Sequence, residues 1–174
     1  MKKTETTAKN LAFMIASELH EDWRKTRLRE DGTYEPRWKE VMDKKYVELR
    51  VDLEHLPENM RINEGVVEID IANSHFIELS PDKQKENYEA ALVCVDILFN
   101  KEAYTSLDQV GDKIHEEWLK RNEWGRNDPV LSKPFSELPK EEQDKDIDQF
   151  KIATTILEQV EKKMKSKDEE LSLF

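Results

Sequence analysis

The tetrapeptide His20-Glu21-Asp22-Trp23 recurs, with one conservative change, as His115-Glu116-Glu117-Trp118. On an α-helix, residues three and four apart share a face. His20, Trp23, Arg24 and Arg27 therefore line one side of one helix, and His115, Trp118 and Arg121 one side of another. An indole is a flat surface on which a base can stack, worth about 1–3 kcal/mol per base. A guanidinium group binds phosphate through two parallel hydrogen bonds. Tryptophan flanked by cations is thus the equipment of a nucleotide pocket. Tyr34 with Arg37, and Trp124 with Arg126, would add a second ring and cation beyond each helix. The competing account is structural: each tryptophan ends an apolar stripe, and the cations offset the dipole at a helix C-terminus.

Other chemistries fit less well. The repeated motif lacks the second histidine of H-E-x-x-H, so no metal is expected there. Glu68 and Asp70 alternate along a strand as the acidic pair of a metal-dependent nuclease hairpin would. No lysine follows at the required spacing, and both are expected to face solvent. Glu21 and Glu116 stand beside His20 and His115, where a hydrolase could use them, yet no nucleophile–base pair accompanies them. No catalytic residue is assigned, and a non-enzymatic protein is expected. Gly32, Gly65, Gly111 and Gly125 are too dispersed to build a dinucleotide fingerprint or a P-loop, and no cofactor is expected.

A net charge of −11 repels phosphate backbones, so DNA, RNA and anionic membrane are disfavoured as partners. One small anionic ligand needs only a local basic pocket. The single cysteine, Cys94, lies in the apolar run Ala90–Val95 and reads as a buried, inert thiol. With no disulfide framework possible, a reducing, cytoplasmic setting is expected. No apolar stretch approaches the roughly 18–20 residues of a membrane span, and the opening MKKTETTAKN has no signal-peptide core.

The elements that must position these residues follow from periodicity. Leu11, Ile15, Leu19 and Trp23 recur every fourth residue, which predicts a helix from about Lys9 to Leu28, broken at Asp31-Gly32 and Pro36. Val47–Leu53 and Val67–Ile71 alternate apolar and polar residues and predict an antiparallel pair with a long loop. Ser80-Pro81 opens a helix carrying Tyr88, Leu92, Val95 and Phe99 on its apolar side. Ser106, with Gln109 completing a capping box, opens another. After an irregular stretch from Trp124 to Phe135, Pro139 opens a long helix with Ile147, Phe150, Ile156, Val160 and Met164 inward.

The repetition extends beyond the tetrapeptide. At an offset of 95, Ile15–Arg27 lies over Val110–Asn122; at an offset of 59, Phe76–Leu98 lies over Phe135–Leu157, with six of 23 positions identical. The offsets differ by 36 residues, the size of an insertion in the first copy that accounts for the two alternating segments. Two blocks in the same order imply an internal duplication. Two such units would most simply pack about a pseudo-twofold axis, with equivalent surfaces meeting at a central cleft.

H-x-x-W followed by a basic residue, a turn containing Gly, Trp or Tyr, then F-x-x-L-P-x-x-x-[KQ] and a closing T-x-x-L helix resembles the RyR repeat of the ryanodine receptors, a unit that also stands alone in bacterial and phage proteins. Residues 114–157 carry the fuller match, and Leu19–Arg37 with Phe76–Leu98 the interrupted one. The resemblance implies a mainly helical α+β fold of two RyR-like repeats, residues 9–100 with a β insertion at about 29–73, and residues 106–164; the mostly charged residues 165–174 read as a flexible tail. It implies binding of an adenine nucleotide or a nucleotide-derived signal between the repeats. Trp23 and Trp118 would flank the base, with His20, His115, Arg27 and Arg121 as neighbours. A sensor or sequestering role follows, with a protein-interaction module using the same cleft as the alternative.

Overall fold

The structure, a computed structural model, describes residues 2–171 of the chain, with side chains described from Thr7 to Ser166. It is mainly helical with one small antiparallel sheet. The chain forms two compact units, Met1–Ile15 with Ala90–Phe174, and Ala16–Glu89. Among the described residues, no helix is long and apolar enough to cross a membrane.

Helix α1 (Lys2–Lys25) begins earlier than the periodicity indicates and ends three residues sooner. Its stripe behaves as the spacing requires: Leu11, Ile15 and Leu19 are buried and Trp23 is half-buried. Past its end the chain reverses at Gly32, whose φ of +82° is open to glycine without strain. The Asp31 carboxylate accepts from the Thr33 amide and hydroxyl, fixing the turn.

In the unit Ala16–Glu89 the sheet has the order β1 (Trp38–Glu40), β3 (Val66–Asp70), β2 (Met60–Asn63). Asn63 pairs with Val66, leaving Glu64 and Gly65 as a two-residue hairpin turn with φ of 49° and 83°. Positive φ at both central residues defines the type I′ turn, whose twist suits adjoining strands. Val41, Met60 and Ile69 fill the covered face.

The partner of β3 is therefore not Val47–Leu53. Residues Lys44–Arg50 form helix α2, started by Asp43, whose side chain accepts from the Tyr46 amide. Alternation marks a strand only where one side is buried, and α2 buries none of its residues; Leu49 is 67% exposed. Without a core to satisfy, the capping aspartate and the helix-favouring Lys, Glu, Leu and Arg decide the conformation.

The unit containing the C-terminal half is helical. Helix α3 (Pro81–Phe99) opens at Pro81 directly after Ser80, as expected; of the stripe Tyr88, Leu92, Val95 and Phe99, however, it buries Val95 alone, together with Ala91, Cys94, Ile97 and Leu98. Leu92 and Phe99 are exposed. Ala90–Leu98 is apolar almost all round, so periodicity alone does not choose its buried side. In helix α4 (Leu107–Arg121) Ser106 accepts from the Gln109 amide. Gln109 reaches back to the amide and hydroxyl of Thr105 rather than to Ser106, a capping box displaced by one residue.

Helix α5 (Glu123–Arg126) follows, then helix α6 (Lys140–Leu171). Along α6, Ile147 is buried and Phe150, Ile156 and Val160 half-buried, while Met164 is exposed. The helix continues through residues 165–171, assigned from their charge to a frayed tail; residues 172–174 lie outside the described residues.

Candidate functional site

The two F-x-E-L segments adopt one local structure. Phe76–Glu78 and Phe135–Glu137 are single 3-10 turns, each with its phenylalanine buried. The following leucine is extended in both, φ/ψ −66°/149° at Leu79 and −68°/151° at Leu138, and its amide bonds back to the phenylalanine carbonyl. Gln84 and Gln143, equivalent at the offset of 59, both donate to carbonyls of these turns. The glutamine thus holds the turn to the first turn of the next helix.

Each repeated histidine is tied to this segment. His20 Nε2 donates to the Ser74 carbonyl at 2.9 Å. His115 Nε2 lies 3.0 Å from the carbonyls of Lys133 and of Leu131. Ser74 and Lys133 are themselves equivalent, two residues before the buried phenylalanine. Both histidines are buried, and each stacks on the tryptophan one turn later: 5.7 Å between ring centroids for His20 and Trp23, 6.0 Å for His115 and Trp118. One face of each indole is thereby occupied by the histidine. Both tryptophans are half-buried. Burial lowers the His20 pKa, against the Ser74 hydrogen bond that raises it.

The cations divide by role. Arg24, equivalent to Leu119, is only 5% exposed. Its Nε donates to the Ala72 carbonyl at 2.8 Å, its Nη1 to Glu21 at 2.7 Å, and its guanidinium lies 4.6 Å from the Tyr34 ring centre. His75 Nδ1 is within 2.8 Å of Arg24 Nη1 and 3.0 Å of Glu21 Oε1, accepting from the first when unprotonated and donating to the second when protonated. Burial opposes the Glu21 charge, but His75 and Arg24 hold its pKa below the ordinary value. Arg24 therefore fastens α1 to residues 72–75.

Arg27 lies 5.9 Å from the Trp23 ring centre and also binds Glu35, its Nε donating to the backbone carbonyl and its Nη2 3.3 Å from the carboxylate. Tyr34 is half-buried beneath Arg24, and Arg37 is exposed, its amide donating to Asp70. In the other unit Arg121 is half-buried on the last turn of α4. Trp124 is 61% exposed and meets Trp118 edge-on at 5.4 Å, while Gly125 packs so closely on the Trp118 ring that a Cβ there would collide with it. Arg126 donates to the carbonyls of Leu119 and Lys120, capping α4. The structure thus gathers His20, Trp23, Arg27 and Tyr34 in one unit, and His115, Trp118, Trp124 and Arg126 in the other.

One acidic residue behaves otherwise than the sequence suggests, and another stands out only in the fold. Asp70 does not face solvent: it is 3% exposed and accepts from the amides of Arg37 and Ala72 and from the Asn73 side chain. Backbone donors from both flanking segments make the buried carboxylate the organiser of the strand end. Glu68 pairs with Arg61 at 2.6 Å. Asp146, unremarked in the sequence, is buried on α6 with Oδ2 3.4 Å from His115 Nδ1. Its signal was positional: it shares the inward face of Ile147, Phe150 and Ala153. An open groove of about 580 Å³ beside α4 is lined by His115, Lys113, Glu116, Lys133 and Phe135 among others. Glu116 itself is exposed, 3.8 Å from Lys120, and Glu21 is engaged by Arg24 and His75.

No family model, curated protein or solved structure matches the chain.

Proposed function

We propose that the chain is a non-enzymatic ligand-binding module, an internally duplicated protein of the RyR-repeat type that holds a nucleotide or nucleotide-derived signal. It would act as a sensor or as a sequestering protein. The observation that carries this reading is the recurrence of one local device: a buried histidine bonded to the carbonyl two residues before a buried phenylalanine, with a half-buried tryptophan stacked upon it. A histidine locked in this way presents its tryptophan in a fixed orientation, which lowers the ordering cost of stacking a ligand base. Arg27 beside Trp23 and Arg121 on the last turn of α4 are the cations that, on this reading, would meet phosphate.

The test is a panel of mono-, di- and cyclic nucleotides scored by tryptophan fluorescence and thermal unfolding. A saturable change with at least one adenine nucleotide or derivative supports the reading. No response to any member of the panel refutes it. A second reading, a protein-interaction module, is favoured by Met42, Leu49 and Leu53, exposed apolar side chains of the insertion. It predicts a specific protein partner whose binding is lost on replacing those residues.

A further inference from the structure

His115 is buried between two kinds of acceptor. Its Nε2 lies 3.0 Å from the carbonyls of Leu131 and Lys133, and its Nδ1 3.4 Å from Asp146 Oδ2. Exposure of the two side chains is 6% and 10%, so water does not mediate freely between them. A neutral imidazole has one N–H and one lone pair. Facing acceptors on both sides, it must set a lone pair against an oxygen unless the pair carries one further proton. That proton can sit on the second ring nitrogen or on the carboxyl group; either placement removes the opposition of lone pair and carboxylate across the 3.4 Å gap.

The surroundings favour retaining it. Burial pushes the Asp146 carboxyl up to about 6, against the attraction of His115, with Glu142 raising it further and Lys145 opposing. From α3 the neighbouring titratable group is the Cys94 thiol, itself raised to about 12 by burial and felt by both Arg121 of α4 and Asp146. The segment facing Nε2 contributes backbone carbonyls. At the offset of 59 the residue equivalent to Asp146 is Asn87, which does not titrate, so the arrangement belongs to this unit alone.

We propose that a proton held jointly by His115 and Asp146 fastens the Leu131–Phe135 segment to α4 and α6, and that its release to water loosens this segment. The segment borders the groove beside α4, and Trp118 stacks on His115, so the same proton governs the shape of both. The device stands independently of the ligand reading above.

Amide hydrogen exchange of residues 130–136 in the full chain, corrected for the intrinsic rate, tests it between pH 5 and 8. Losing one buried hydrogen bond corresponds to roughly a three- to tenfold fall in protection with rising pH. In Asp146→Asn the side-chain amide can donate to Nδ1 permanently, and protection should stay at its low-pH level throughout. His115→Gln, which keeps a donor for the carbonyls without a titrating ring, should be flat as well and serves if the first variant does not fold. A pH-independent wild type, or a variant that retains the wild-type profile, would overturn the proposal.

Discussion

Arg24→Ala separates the cation that builds the first unit from Arg27, the one proposed to meet a ligand. Arg24 is buried, donates to the Ala72 carbonyl at 2.8 Å and to Glu21 at 2.7 Å, and lies over Tyr34 at 4.6 Å. A hydrogen bond from a charged donor is worth about 1.5–3 kcal/mol, and a partly exposed ion pair about 1 kcal/mol or less. The contact with the Tyr34 ring adds about 0.5–1 kcal/mol. Together, with the buried Ala72 carbonyl left without its donor, these amount to about 2–5 kcal/mol. For a chain of this size that is a fall in Tm of roughly 4–20 °C. Arg27→Ala loses a pair with Glu35 whose carboxylate is 58% exposed, and should cost about 1 kcal/mol or less. Urea unfolding followed by circular dichroism reads both. An Arg24→Ala loss below about 1 kcal/mol, or an Arg27→Ala loss as large as that of Arg24→Ala, would refute the division of roles.

Gly111 lies against the Phe135 ring so closely that a Cβ would enter it; Gly111→Ala should destabilise by about 1–3 kcal/mol despite its better helix propensity, measured by the urea midpoint. Burial lowers the His20 pKa, so its contribution is present above the ordinary imidazole value and lost as pH falls through the lower folded value. Asp146 works in the opposite sense: raised from 3.8 to about 6, it contributes stability below 3.8 that disappears as pH rises toward 6. His20→Gln should flatten the acid limb of stability against pH, and Asp146→Asn the opposing slope. Cys94, fully buried and raised to about 12, should resist thiol reagents in the native protein and react at the rate of a free thiol in denaturant.

What was legible in the sequence came from patterns with a physical anchor. The stripe Leu11–Ile15–Leu19, the starts at Pro81 and Ser106 and the burial of Cys94 all have one. The two repeated blocks marked His20 and His115, but not Ser74 and Lys133, the residues just ahead of the second block whose carbonyls the fold brings to them. What was not legible depended on context. Seven alternating residues from Val47 look like a strand, but α2 has no core against which alternation could act. The true hairpin was marked instead by Glu64-Gly65, where backbone freedom decides. Asp70 and Asp146 are polar residues in buried places, and only the donors around them reveal why. Arg24 and Arg27 share a helix face on paper, yet contact with residues 72–75 consumes the first alone.

The central claim is that Trp23 and Trp118 are binding surfaces as well as packing elements. Titration calorimetry with the nucleotide that most raises Tm tests this most directly, comparing wild type with Trp23→Ala and Trp118→Ala variants that retain wild-type circular dichroism. Losing about 1–3 kcal/mol of base stacking should weaken binding roughly 5- to 150-fold in each. Unchanged affinity in both folded variants would contradict the account.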